Sequence, residues 1–282
     1  MKRYDDCVAV ITGAASGIGY GLAKECISRN MKVVLADIDP VALEKATNSL
    51  CGQESRCTSL RTDVAKEPDV RALAKYVNDT FGKVDFLFIN AGVNILAYTW
   101  EYDIWDWKWI IDVNLWGTIH CLTSFLPLMI SQNNDAFIVF MSSGGAFLPF
   151  QTAGPYNATK SAIVALAETL YNELLIKKSR IKLRVSCPGM VNTNLDKAEI
   201  HRQPEYRNPR VDYTSAKRQQ HYIPHSAVEA GADVTEVTQA IFDSIEKDEF
   251  YVFPQPNLKT TIAQKFDLIL QKNMPLDLSR AI

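Results

Sequence analysis

The sequence predicts an α/β fold: a single domain built on a doubly wound, seven-stranded, mostly parallel sheet with helices on both faces. Three observations predict it. Short, almost continuous apolar runs alternate with amphipathic segments from Cys7 onward, as expected of parallel strands covered on both sides by crossover helices. The 282 residues are 47% hydrophobic and 22% charged, ordinary for a folded chain with a large core. No composition break, low-complexity tract or repeat divides them, so residues 1–282 read as one domain.

The strand-like runs are residues 7–12, 32–36, 58–62, 84–90, 136–141 and 181–187, with a seventh at 250–253. The first ends in Thr12-Gly13-Ala14-Ala15-Ser16-Gly17-Ile18-Gly19 and opens a helix-like segment. Glycines at such a turn let backbone N–H groups approach a pyrophosphate, which the helix N-terminus also attracts. The second run ends at Asp37. A carboxylate there can accept hydrogen bonds from an adenosine ribose and repels a 2′-phosphate. Neither Ser16 nor Ile38 supplies a positive charge, so NAD is expected over NADP. Asp39, before Pro40, is the better candidate for capping the next helix.

The third run leads to Asp63-Val64 and the fourth to Asn90-Ala91-Gly92, both at strand C-termini, where open α/β sheets bind ligands. A tryptophan-rich stretch follows, around a helix carrying Asn114. Trp107, Ile110, Ile111, Val113 and Leu115 cover too much circumference for one buried face, so part of this helix is expected to pack on another subunit. The fifth run enters Ser142-Ser143-Gly144-Gly145, and the sixth enters Cys187-Pro188-Gly189-Met190-Val191-Asn192-Thr193.

Between those two runs lie Tyr156 and Lys160. Ile163, Leu166, Ala167, Leu170 and Leu174 keep a helical apolar rhythm after them, and Pro155 stands where a first turn tolerates proline. On such a helix the phenol and the ammonium share a face. An adjacent cation favours the phenolate, which suits the tyrosine to proton exchange near neutral pH.

Net charge is −2, which gives no general reason to expect nucleic acid or an anionic membrane as a partner. The charged start, Met1 to Asp6, is too short and wrongly flanked for a signal peptide. No apolar run approaches the roughly 20 residues of a membrane helix, and a cytoplasmic location is expected. The six cysteines are scattered, so reduced thiols are expected, with Cys51 and Cys57 the close pair.

Taken together, these residues resemble the short-chain dehydrogenase/reductase family over about residues 8–193. The resemblance rests on the Thr12–Gly19 turn, Asp63-Val64, Asn90-Ala-Gly92, Asn114, Ser143, Tyr156-x-x-x-Lys160 and Pro188-Gly189-x-Val191-x-Thr193. Ile89 stands where the family commonly has an asparagine. The resemblance implies a Rossmann-like fold and a catalytic tetrad of Asn114, Ser143, Tyr156 and Lys160. Ser143 is preferred to Ser142 because the family's serine lies thirteen residues before the tyrosine. In these roles Ser143 holds the substrate oxygen and Tyr156 exchanges its proton. Lys160 binds the nicotinamide ribose and lowers the tyrosine pKa, and Asn114 holds a water.

The same carry-over assigns NAD to Gly13, Ser16, Gly17, Ile18, Gly19 and Asp37, then to Asp63, Val64, Asn90, Ala91 and Gly92. It continues through Tyr156, Lys160, Pro188, Gly189, Val191 and Thr193. The implied activity is hydride transfer between NAD(H) and a secondary alcohol or ketone, by a homodimer or homotetramer. An NADP-dependent carbonyl or 3-oxoacyl reductase and a non-catalytic NAD-sensing regulator are the alternatives.

Residues 195–232 are polar and irregular and are expected to form a substrate lid. Lys197, Arg202, Arg207, Arg210, Lys217 and Arg218 there would either steer an anionic substrate or face solvent, and the solvated reading is preferred. Pro224, between His221 and His225, argues against a metal site. A terminal amphipathic helix over 257–272 completes the chain.

Overall fold

The computed structural model describes residues 4–51, 56–210 and 228–278. Seven strands, β1 (Val8–Thr12), β2 (Lys32–Asp37), β3 (Cys57–Arg61), β4 (Phe86–Ile89), β5 (Ala136–Met141), β6 (Ile181–Ser186) and β7 (Tyr251–Val252), form one sheet in the order β3-β2-β1-β4-β5-β6-β7. Every pairing is parallel, so the sheet is more uniform than the mostly parallel one expected.

Strand residues alternate between two cores, as the two-residue period requires. Val8, Val10, Val34, Leu87 and Ile138 pack on one face with α3 (Glu67–Phe81), α5 (Gly117–Gln132) and α6 (Gly154–Ile176) through Leu73, Phe125 and Ala167. Ala9, Ile11, Val33, Leu35 and Phe88 meet Leu22 of α1 (Gly17–Ser28), Leu43 of α2 (Pro40–Cys51) and Ile241 of α7 (Val234–Lys247) on the other. The strand order reverses between β1 and β4, which opens a crevice at their C-terminal ends.

Some boundaries differ from the sequence reading. β4 is shorter than 84–90 because its flanking polar residues serve neighbouring strands. Asp85 accepts the Val8 N–H at 2.8 Å, and the Asn90 amide turns back to the Thr12 carbonyl at 2.9 Å. Cys57 is disulfide-bonded, which corrects the all-thiol expectation, whereas Cys26, Cys121 and Cys187 are free thiols. Cys51 and Cys57 are the close pair in the sequence, but nearness along the chain does not show whether two thiols meet the geometry a bridge requires.

The asparagine helix begins as α4 (Ile104–Ile111), passes through a π turn over Asp112–Trp116 and continues as α5. Its 29 residues, Ile104–Gln132, are long and apolar enough to cross a membrane by length and composition. Asp106, Lys108 and Asp112 interrupt its apolar residues, so no continuous apolar run of that length stands in the sequence. In the fold its inner side is core: Trp109, Ile110, Phe125 and Met129 are fully or nearly fully buried. Trp116 and Ile130 remain about half exposed on the outer side.

After β6 the chain forms 3-10 turns at Leu195–His201 and Pro204–Tyr206. This strap is pinned to the α4 segment; Lys197, Arg207 and Arg210 are exposed, in line with the solvated reading, but Arg202 departs from it. Arg202 is buried, pairs with Asp106 at 2.8 Å and lies over the Trp109 ring at 4.6 Å. Tyr206 donates to Asp112 at 3.0 Å, and Asn208 donates to Asp103 at 2.7 Å. Arg202→Met strands a buried carboxylate, so a loss of about 3 kcal/mol in urea denaturation is expected; Asp106→Asn combined with Arg202→Met should recover part of it. Lys217, Arg218, His221 and His225 lie outside the described residues.

α8 (Asn257–Lys272) follows β7, close to the expected terminal helix.

Candidate active site

A cleft of about 1080 Å³ opens over the C-terminal ends of the central strands, and each wall has a local cause. The turn after β1 is closed by glycines that nothing larger can replace. Gly13 has φ +65°, and a Cβ on Gly19 would lie 2.0 Å from the Gly13 carbonyl oxygen. Asn90 and Thr12 brace it: the Thr12 hydroxyl accepts the N–H groups of Asn90 and Ala91 at 3.0 and 3.1 Å. The Asn90 amide also donates to the Gly13 carbonyl at 3.2 Å.

At the start of α1, Ser16 makes no side-chain capping bond and no acid occupies the first turn. The helix therefore presents its N-terminal amides, which leaves a cradle suited to a diphosphate. The Asp37 carboxylate stands at the edge of this cradle, accepting the Ala15 N–H at 3.0 Å and the Asp39 N–H at 3.1 Å. Asp39 caps α2 by accepting from Val41 and Ala42 at 2.9 and 3.0 Å, as the sequence suggested. The glycine turn, the unspent helix amides and a carboxylate on the cleft wall together fit a dinucleotide.

The reacting end is set by β5, α6 and the loop after β6. Ser142 donates to the Lys160 carbonyl at 2.9 Å and so belongs to the packing of α6. Ser143 instead accepts the Gly145 N–H at 3.0 Å and lies close enough to Tyr156 to pull the phenol pKa down. Ser142 is spent on α6, so of the two serines Ser143 is the one that acts on the phenol. Lys160 is buried, donates to the Met141 carbonyl at 2.8 Å and sits 5.6 Å from the centre of the Tyr156 ring.

Burial raises the phenol pKa, opposed by the Ser143 hydrogen bond. It also lowers the Lys160 pKa to about 8, which leaves the amine mostly protonated at pH 7. The net shift of the tyrosine is thus upward, contrary to the lowering expected from Lys160: burial outweighs the Ser143 contribution, and the lysine amine is aimed at the Met141 carbonyl. The Asp63 carboxyl is likewise pushed up, mainly by burial, and accepts the Ala65 N–H at 3.1 Å.

Gly13, Ser16, Gly17, Ile18, Asp37, Asp63, Val64 and Asn90 line the cleft with Ala91, Gly92, Ser143, Tyr156 and Lys160. Pro188, Gly189, Val191 and Thr193 complete this set. Gly19 and Asn114 stand behind the wall. Asn114 is fully buried in the π turn; its side chain accepts the Val93 N–H at 2.8 Å and donates to the Val93 carbonyl and the Thr159 hydroxyl at 3.0 and 3.2 Å.

The sequence reading passed over Asn94, Leu148, Phe150 and Gln151, which line the cleft beside the tetrad. The Asn94 side-chain carbonyl oxygen is buried there without a hydrogen-bond partner among the described residues. Its place four residues past Asn90 on one loop was the available signal. It also missed the strap's reach across the other half of the cleft. There His201 approaches the Asp39 carboxylate at 3.7 Å, and Gln203 donates to Asp63 at 3.4 Å. The described residues contain no group of three or more side chains suited to a metal.

Comparison with known proteins gives a consistent result. A family model described as short chain dehydrogenase matches residues 7–204. A crystal structure of a short chain dehydrogenase/reductase from Burkholderia phymatum in complex with NAD is 35% identical, with a TM-score of 0.92 over 98% of this chain and 99% of that one. The CLA biosynthesis dehydrogenase/reductase of Lactiplantibacillus plantarum is 28% identical across 98% of this chain and 97% of its own. The C alpha-dehydrogenase of Sphingobium sp. is 31% identical across 98% and 90%.

Proposed function

The chain belongs to the short-chain dehydrogenase/reductase family, and on that premise we propose that it interconverts a secondary alcohol and a ketone with NAD(H). The observation that carries this reading is the pairing of Ser143 with Tyr156 beside a buried Lys160, at one end of a cleft whose other end is a diphosphate cradle. In oxidation, Ser143 holds the substrate hydroxyl and Tyr156, as phenolate, takes its proton; in reduction the phenol returns one to the ketone oxygen. Bound NAD would accept the carbinol hydrogen as hydride. Lys160 would reach the nicotinamide ribose from its place beside the tyrosine ring. Asn114, bonded to Val93 and Thr159, holds the loop and helix in register around that lysine.

NAD over NADP is supported by the Asp37 carboxylate on the cleft wall and by the NAD bound to the Burkholderia relative. Asp37→Ser should lower kcat/KM with NAD by about tenfold, the worth of one charged hydrogen bond. It should raise kcat/KM with NADP. Steady-state kinetics with both cofactors test this, and a wild-type preference for NADP would sink the assignment. A purified-protein screen of secondary alcohols, read by NADH absorbance, tests the activity itself.

A homodimer through α5 and α6 is part of this reading. Ile130, Leu175 and Ile176 are exposed there, around a shallow apolar depression that Leu126, Leu170 and Leu174 also line. The cytoplasmic location is carried forward with the proposal.

A further inference from the structure

The terminal helix α8 is amphipathic yet contributes no buried residue to the core. Contacts made by three residues nevertheless fix it in place, and they fall on the loops that wall the cleft. Gln255, just before the helix, accepts the Gly189 N–H at 2.8 Å and donates to the Met190 carbonyl at 3.4 Å. Lys265 donates to the Phe147 carbonyl at 2.5 Å. Leu258 packs so closely on the Ser143 loop that a Cβ on Gly144 would lie 3.3 Å from its methyl group.

A helix held by the site loops rather than by the core has its position explained by the site. Leu258 and, beyond the helix, Leu278 both line the cleft, where they face the same space as Leu148, Phe150 and Met190. Leu258 is only partly buried. Apolar side chains left partly open toward a cleft gain burial when an apolar ligand covers them.

We propose that residues 255–278 form the outer wall of the substrate chamber, and that Leu258 and Leu278 select substrates in which the reacting carbon carries a long or bulky uncharged apolar body. This rests on the reading of Tyr156 and Ser143 as the groups that hold the substrate oxygen. It goes beyond that reading by naming what lies on the far side of that oxygen.

The test uses N-alkylformamides from butyl to octyl, whose carbonyl can accept the same hydrogen bonds but resists hydride. Their affinity for the NADH-saturated protein is measured by titration calorimetry. Wild-type affinity should rise about threefold per added methylene. Leu258→Ala combined with Leu278→Ala should flatten that slope, and Leu258→Trp should weaken the octyl compound by about tenfold while leaving the butyl compound and NADH within about twofold. Lys265→Ala, which releases the helix without altering the wall, should flatten the slope in part. Because α8 buries nothing in the core, these variants should keep the wild-type melting temperature.

An unchanged slope in the variants, an equal loss at every length, or no slope in the wild type would each overturn the proposal. The outcomes separate the two readings. A slope that the variants erase, in a protein that oxidises no alcohol, keeps the chamber and removes the oxidoreductase assignment. Turnover with a slope indifferent to Leu258 and Leu278 does the reverse.

Discussion

Tyr156→Phe is expected to lower kcat by about a thousandfold, the range of a lost proton transfer, while NADH affinity stays within about twofold. The substitution removes one oxygen and leaves the ring, which keeps its contacts with Phe150 at 6.2 Å and with the Lys160 amine at 5.6 Å. Ser143 still accepts the Gly145 N–H, so the loop should hold. If the hydroxyl acts only in the transition state, kcat and kcat/KM should fall together. The pH profile gives an independent sign. Burial raises the phenol pKa, and oxidation needs the phenolate, so wild-type oxidation should climb with pH from neutrality while reduction declines. A variant with near-wild-type turnover would refute the mechanism.

Gly19→Ala should abolish measurable cofactor binding, with NADH affinity down by about a hundredfold or more. The added methyl would lie 2.0 Å from the Gly13 carbonyl oxygen and 2.6 Å from the Asn90 amide nitrogen. Neither neighbour is the free end of a flexible chain. The first is backbone, and the second is bonded to the Thr12 and Gly13 carbonyls. Relieving the clash moves the turn away from β4 and opens the cradle that α1 presents to the diphosphate. A stability loss of about 1–3 kcal/mol should accompany it, as for other overpacked sites. Fluorescence titration with NADH and urea denaturation read the two effects separately. Retained affinity would mean that the turn is not the diphosphate seat.

Particular residues show how far the chain could be read in advance. The strands were legible because a parallel strand buried on both faces is apolar at every position, and 136–141 reads identically in sequence and structure. Tyr156 and Lys160 were legible because a helix converts a spacing of four into a shared face. Arg202 was not, since its pairing with Asp106 spans 96 positions and nothing in a polar loop announces a buried partner. The direction of the tyrosine pKa was misread for a similar reason: neighbour charge can be guessed from spacing, whereas desolvation depends on what covers the group. Leu258 and Leu278 were invisible as site residues because they enter the cleft from the segment that follows the last strand.

Local pattern was therefore enough to specify the α/β architecture, the glycine turn and the shared helix face of Tyr156 and Lys160, since each depends on periodicity or spacing within one element and its flanking turn. How burial sets the two pKa values, and which remote segments close the cleft, were decided only when distant parts of the chain packed together. The free energies that decide those points arise from burial and from contacts between residues far apart in the chain, and neither is encoded in any single stretch.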